Sequence, residues 1–246
     1  MSDQQFYETF YAQASERDLH WRELVGAVKA QNIIDVTAGL PIQRVIDVGS
    51  GTGSVIAHLA RHGFAGRFVA LDLSEQALSV LRSREDVPGL EEVQVFDGHT
   101  LPYPDQSFDL ALLSHVIEHI ADPAPLIKEA ARVARHVVIE VPFEENLHIR
   151  LKVGLFRSSY REQIGHVQWF NRKRLRQLLK QECHLVVDRL QMVYLPESTY
   201  YFRKQNARRV LVRIQLTFRH ILRALSPWLY ERLLTDHCIA LVHAEW

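Results

Sequence analysis

The sequence predicts an α/β fold, a doubly wound sheet with helices on both faces, in a chain of 246 residues. Three observations carry that prediction. Short apolar runs alternate with amphipathic segments between residues 44 and 141, at the interval of strand–helix–strand crossovers. A glycine-rich turn, VIDVGSGTGSV (Val45–Val55), lies between the first such run and the first such helix. The length suits one domain with an elaboration, and 47% apolar against 24% charged residues can build an ordinary globular core.

Each element has its own signal. In residues 3–39, Phe6, Tyr7, Phe10 and Tyr11 recur at helical spacing, followed by Leu19, Trp21, Leu24, Val25 and Val28, until Gly39-Leu40-Pro41 ends the pattern. Residues 1–40 are therefore expected to be an N-terminal helical cap. Arg44–Val48 reads as a buried strand and Ser54–His62 as a helix stopped by Gly63. Arg67–Leu71 is a strand, and Ser74–Ser83 a helix with Ser74 as its cap. Val93–Phe96 and Phe108–Leu113 are strands, Pro125–Ala134 a helix and His136–Val141 a strand. After Pro142 the rhythm changes: residues 143–166 are polar and irregular, with Arg150, Lys152, Arg157 and Arg161. Asn171 caps a helix running to Lys180, and Leu185–Leu195 and Cys238–Ala244 are the last strands. Between those two lies a helical insertion, 197–236, that a simple alternating sheet does not need.

Composition excludes several classes. No apolar run reaches the roughly 18 residues that span a bilayer. The start, MSDQQFYETF, is polar and acidic, unlike a secretory signal. The two cysteines, Cys183 and Cys238, lack metal spacing, so a reducing, cytoplasmic setting without metal is expected. The net charge of zero hides a split. Residues 1–146 hold 11 Lys+Arg and 22 Asp+Glu (−11), and residues 147–246 hold 18 and 7 (+11). A solvated basic face or an anionic partner accounts for the second half.

The glycine turn places free N–H groups of a helix N-terminus against a ligand. It is not a dinucleotide fingerprint: Gly49 and Gly51 fit, but Ser54 stands at the third position and the glycine falls at 53. No Gly-Lys-Ser/Thr ending marks a P-loop. Asp47, within the leading strand, would repel a pyrophosphate and suits a ligand carrying positive charge.

At these residues the chain resembles the class I S-adenosylmethionine-dependent methyltransferases, the small-molecule "type 11" set in particular. Asp47, Gly49, Gly51 and Gly53 match the pattern D-x-G-x-G-x-G, with Ser50 inside it, which in that family cradles the methionine part of the cofactor. Asp72, with Leu73 beside it in VALDLS, matches the acid that grips both ribose hydroxyls; paired hydroxyl donors on one carboxylate form charge-assisted bonds. FDGHTLPYPDQSFD matches the segment after the third strand, with Asp97 facing the adenine amine and Gly98 or His99 as backbone donor. Ser114 and His115 follow the fourth strand, where the family lines the methyl-transfer site. The resemblance implies a Rossmann-like sheet of seven strands, the last antiparallel and beside the sixth, with 44–141 as cofactor-binding core and S-adenosylmethionine as cofactor. A Pro-Gly-Gly turn common before the fifth strand is absent from RVARHVVIEV, and no cofactor contact depends on it.

Methyl transfer needs alignment and dehydration of the partners, and a base only where the acceptor carries a proton. His115, His119, His148 and His166 are the histidines near strand ends. His166, in IGHVQWF, leads as base or acceptor-orienting residue, with a loop anchor as its alternative; His115 and Glu144 are the other catalytic candidates. Glu118 and His119 read as structural; Tyr7 and Tyr11 pack in the core or, as N-terminal helices do in that family, close over the cofactor. SHVI stands where an Asn/Asp-Pro-Pro-Tyr/Phe motif would mark nucleobase-amine methylation, and no zinc ligands activate a thiol acceptor.

The insertion carries Arg203, Lys204, Arg208, Arg209, Arg213, Arg219, Arg223 and Arg232 against Glu197, Glu231 and Asp236, for a net +5. Leu, Ile, Val, Phe218 and Trp228 are interleaved. A pocket lid, contact with an anionic membrane through 203–232, and an oligomer or partner interface all fit; the aromatics lack the stacking pattern of nucleic-acid binders. The expected activity is methyl transfer to an O or N atom of a small or amphiphilic acceptor, lipid-linked acceptors included. The rival is a non-catalytic cofactor-binding scaffold of the same fold.

Overall fold

The computed structural model describes residues 3–143, 165–196, 199, 202, 209–226, 228–230 and 237–245. In chain order the elements are α1 (Asp3–Ala12), α2 (Glu16–Val36), β1 (Arg44–Val48), α3 (Ser54–Arg61), β2 (Arg67–Asp72), α4 (Glu75–Arg82), β3 (Leu90–Val95) and β4 (Phe108–Ser114). A 3-10 turn (Ile117–His119), α5 (Ala124–Val133), β5 (Ala134–Pro142), α6 (Arg172–Gln177), a π-helical turn (Leu178–Glu182), β6 (Leu185–Val193), α7 (Arg209–Leu225) and β7 (His237–Ala244) complete the list.

The seven strands form one sheet in the order β3-β2-β1-β4-β5-β7-β6. β1 to β5 pair parallel, and β7 runs antiparallel between β5 and β6, as expected. The order reverses between β2-β1 and β4. In such sheets ligands bind at the carboxyl ends of the strands beside that reversal.

The core is two layers, one on each face. Alternation along a strand sends successive side chains to opposite sides. Val45, Leu110 and Leu112 face Ile33, Ile56, Phe68 and Leu81. Ile46, Val48, Ala111 and Leu113 face Phe108, Ile127, Leu178 and Phe170. Ser74 caps α4 as expected, its hydroxyl accepting from Ala77 N, and Asn171 caps α6 through Arg174 N.

The N-terminal stretch differs from one continuous run. Ser15 breaks it: its hydroxyl accepts from Asp18 N, and the Asp18 carboxylate accepts from Ser15 N at 3.0 Å. That reciprocal capping box satisfies the free amides of a new helix start, so α2 sets out separately from α1. The break leaves α1 to cross the carboxyl edge of the sheet.

Candidate functional site

The glycine turn is built as its residues require. Gly49, Gly51 and Gly53 have φ of +81°, +54° and +73°, the left-handed region where side chains are strained. Gly53 is the N-cap of α3, and a Cβ on it would overlap the Leu81 side chain. A Cβ on Gly51 would meet Tyr11 Oη at 2.7 Å, and one on Gly49 would meet Val116 Cγ2 at 2.5 Å. The turn is thus closely covered, with Tyr11 of α1 above it. Ser50 Oγ is buried there without a hydrogen-bond partner.

Asp72 ends β2 next to this turn. Its carboxylate accepts from Gly51 N at 2.7 Å and from Ser74 N at 2.9 Å. Burial raises its pKa, against the pull of those backbone hydrogen bonds. Asp47 ends up buried beneath the turn; burial pushes its pKa up to about 7, with Lys29 opposing and Asp72 reinforcing. Leu73 and Gly98 lie together: Gly98 has φ +83°, and its Cα faces Leu73 Cδ2. Asp97 and His99 are exposed, and Asp97 Oδ1 accepts from His99 N and Thr100 N, both at 2.8 Å. One Asp97 oxygen therefore shapes its own loop.

α1 lies across the carboxyl edge of the sheet. Its neighbouring residues Tyr7 and Glu8 point to different partners. Glu8 accepts from Ser74 Oγ, Glu75 N and Gln76 N at 3.0, 2.8 and 3.1 Å, so a carboxylate sits on the N-terminus of α4. Tyr7 packs edge-on against His119. Arg22 lies over the Tyr11 ring, and burial with nearby Asp72 pushes the Tyr11 hydroxyl up to about 12. Tyr7 and Tyr11 are half-buried at the sheet edge, outside the two core layers. The break at Ser15 is the physical reason, because it turns α1 across the sheet edge.

Beside α1 and the ends of β4 and β5 stands a histidine–carboxylate network. His115 has φ +60°, a strained setting for a side-chain-bearing residue. Its Nδ1 is 3.1 Å from Glu118 Oε1, and its Nε2 is 3.3 Å from His237 Nδ1. His237 in turn faces Glu140, which accepts from Ser114 Oγ and Asn32 Nδ2 at 3.1 Å each. Burial alone would raise the Glu140 pKa; the His237 hydrogen bond and the charges of His115, His237 and Lys29 hold it at about 2. Burial drives His115 well below the usual histidine range, with Lys29 and His237 adding to the effect. Burial likewise lowers His119 and raises Glu118. His166 packs edge-on against His119, ring centroids 4.8 Å apart.

The expected site residues thus gather in two groups. Asp47, the glycine turn, Asp72, Leu73 and Gly98 form one, and Ser114, His115 and His166 the other. Glu144, His148 and the basic cluster at 150–161 lie outside the described residues. Sequence reasoning missed Lys29, Asn32, Glu140 and His237. Two signals were available. Lys29 occupies the inward stripe of α2 with Gly26, Ala30 and Ile33, and Glu140 is an acid inside the buried run HVVIEV.

Residues 46–137 match the model of the Methyltransf_11 family, a methyltransferase domain. The chain is 36% identical over 110 residues to the ubiquinone biosynthesis O-methyltransferase of Hahella chejuensis, covering 42% of this chain and 44% of that protein. It is 32% identical over 119 residues to a demethylmenaquinone methyltransferase of Tropheryma whipplei, covering 48% and 45%. The chain spans less than half the length of these curated relatives. Among solved structures, a SAM-dependent methyltransferase from Thermotoga maritima, described as a possible histamine N-methyltransferase, superposes with a TM-score of 0.60 at 16% identity over 98% of this chain and 97% of that one. That likeness is one of fold.

Proposed function

We propose, on the premise that residues 46–137 carry a class I S-adenosylmethionine-dependent methyltransferase domain of the type 11 kind, that this chain transfers the methyl group of S-adenosylmethionine to an oxygen or nitrogen atom of a small or amphiphilic acceptor. One observation carries the reading: a turn of three left-handed glycines, in which Gly51 N donates to Asp72 beneath Tyr11, beside the strand-order reversal.

In this reading the amides of the turn and the orphan Ser50 hydroxyl receive the methionine part, and Asp47 faces its ammonium. Asp72 takes the two ribose hydroxyls, each a charge-assisted bond. Asp97, Gly98, His99 and Leu73 frame the adenine. Tyr7 and Tyr11 close over the cofactor, holding it dry and aligned. Ser114, His115 and His166 face the acceptor. The sulfonium leaves as a neutral thioether, so no residue has to protonate a leaving group. A hydroxyl acceptor must lose a proton; His115, whose pKa burial lowers, and His166 are the residues assigned to orient it.

The amphiphilic acceptor is supported by two quinone-pathway relatives and by α7. Val210, Ile214, Phe218, Ile221 and Leu225 recur at helical spacing on α7 and are exposed, at 70, 61, 55, 52 and 79%. Val212, Leu216 and Arg219 face inward. Exposed Arg213 and Arg223 sit on the same helix. An exposed apolar stripe with arginines suits the surface of an anionic bilayer, and no described helix is long and apolar enough to cross one.

The test is calorimetric titration with S-adenosylhomocysteine, with NAD as control, followed by acceptor screening that includes lipid-linked phenols. Micromolar binding of the homocysteine product and none of NAD is expected. A folded sample that binds neither would overturn the cofactor assignment. Binding without turnover on any acceptor class would favour the scaffold reading.

A further inference from the structure

Glu118 is the anomaly of the site. It is fully buried, and neither carboxylate oxygen receives a hydrogen bond. His115 Nδ1 is near Oε1 at 3.1 Å, and Lys29 acts only through space. A carboxyl group stripped of water is costly to ionise, and burial raises its pKa. A cation beside it would stabilise the anion.

Two imidazoles stand beside it. Ligand atoms of Glu118, His119 and His166 lie within 4.8 Å of one another. Metal bonds of about 2.0–2.2 Å put tetrahedral ligand atoms about 3.3–3.5 Å apart, so side-chain rotation of about an ångström closes the set. His119 is already arranged for the task. Its Nδ1 is 3.1 Å from the Gly165 carbonyl, which fixes the proton on Nδ1 and leaves Nε2 as the lone-pair donor. A ring N–H donated to a backbone carbonyl is the usual support of a metal-bound histidine. Gly165 also directly precedes His166, so one short loop orients both imidazoles.

We propose that Glu118, His119 and His166 hold one divalent transition-metal ion at the carboxyl edge of the sheet, where it binds the oxygen of the methyl acceptor. This departs from the metal-free expectation drawn from cysteine spacing, which could not see ligands that converge from two distant segments. Two histidines and one carboxylate leave coordination positions open and suit zinc, iron(II), cobalt or manganese better than calcium. The ion's role in turnover rests on the methyl-transfer reading; its binding does not. As a Lewis acid the ion lowers the pKa of a bound hydroxyl, and that proton passes to water. The oxygen lone pair then forms the new O–CH3 bond, while the C–S bond breaks with its electron pair returning to sulfur as a neutral thioether. The second trio, His115, Glu140 and His237, is already satisfied by Ser114 and Asn32. The third, His136, Asp188 and His243, lies at the opposite, amino edge, with His243 paired to Asp188 at 2.7 Å.

The experiment uses the tag-free full chain, stripped with chelator. Zn2+ is titrated by calorimetry and Co2+ by visible absorption, and S-adenosylhomocysteine is titrated on the same samples. Expected is one ion per chain with the ligand-field bands of a nitrogen–oxygen site. Glu118→Gln and His166→Ala should weaken Zn2+ more than about a hundredfold, beyond the loss from removing an outer supporting group. His243→Ala should leave it unchanged. His166→Ala serves where Glu118→Gln fails to fold. No binding to folded protein, or binding that survives both ligand variants, overturns the site. Zn2+ binding without homocysteine binding supports the ion and removes the methyl-transfer reading. Equal turnover of stripped and loaded enzyme overturns the Lewis-acid role.

Discussion

Asp72→Asn separates the cofactor assignment from simple stability. The two Asp72 oxygens accept from Gly51 N and Ser74 N. Asparagine keeps the shape and one acceptor, but turns an NH2 toward one of those amides and removes the charge. The unmatched buried amide costs the folded protein about 1–3 kcal/mol, read as a lower urea midpoint without ligand. The cofactor loses more specifically. Hydrogen bonds to a charged group contribute about 1.5–3 kcal/mol, so affinity for S-adenosylhomocysteine should fall roughly 10- to 150-fold at about 1.4 kcal/mol per decade. The two effects are measured apart: denaturation on the free protein, calorimetry well below its unfolding temperature. Ser74→Ala is the control, because it removes the α4 cap, at about 1 kcal/mol, without touching the carboxylate. If Asp72→Asn stays folded and binds the product within threefold of the parent, the ribose assignment is wrong.

Asp47 has a folded pKa raised to about 7, so the free protein should be more stable below pH 4 on this account and lose that advantage as pH rises from about 4 to 7. Asp47→Asn should flatten this slope in pH-dependent denaturation, and an unchanged slope would count against the buried acid. Cofactor binding near pH 6.5 should release a proton, seen as a dependence of calorimetric heat on buffer ionisation enthalpy. Gly53→Ala must hold a left-handed φ of +73°, costing about 1–2 kcal/mol, and must displace Leu81; both the thermal midpoint and product affinity should drop. Phe218→Glu, on the exposed stripe, should abolish salt-sensitive co-sedimentation with phosphatidylglycerol vesicles while leaving homocysteine affinity intact. Vesicle binding that persists would remove α7 from the interface.

Much of the fold was legible because it is local. The alternation of RVIDV, RFVAL and HVVIEV with amphipathic helices is a periodicity, and periodicity follows from the geometry of each element alone. The Ser74 and Asn171 caps are equally local, since a cap needs only an amide two or three residues away. Strand ends moved by a residue or three, as at Leu90, three residues before the expected start of β3, because neighbouring strands decide where a ladder stops. The break at Ser15 was present as a capping box but hidden by continuous apolar spacing on either side.

By itself the sequence determined the doubly wound sheet, the left-handed glycine turn and the acids at its edges. The reason is that steric and hydrogen-bonding demands of a strand–turn–helix act over a dozen residues. Only the tertiary structure decided the second half of the site. Asn32 meets Glu140 across 108 positions, His115 meets His237 across 122, and His119 meets the Gly165 carbonyl across 46. No periodicity encodes those encounters. They arise where the carboxyl ends of the strands converge, and burial there gives each charge its altered strength: desolvation acts on a side chain only once its neighbours have removed the water.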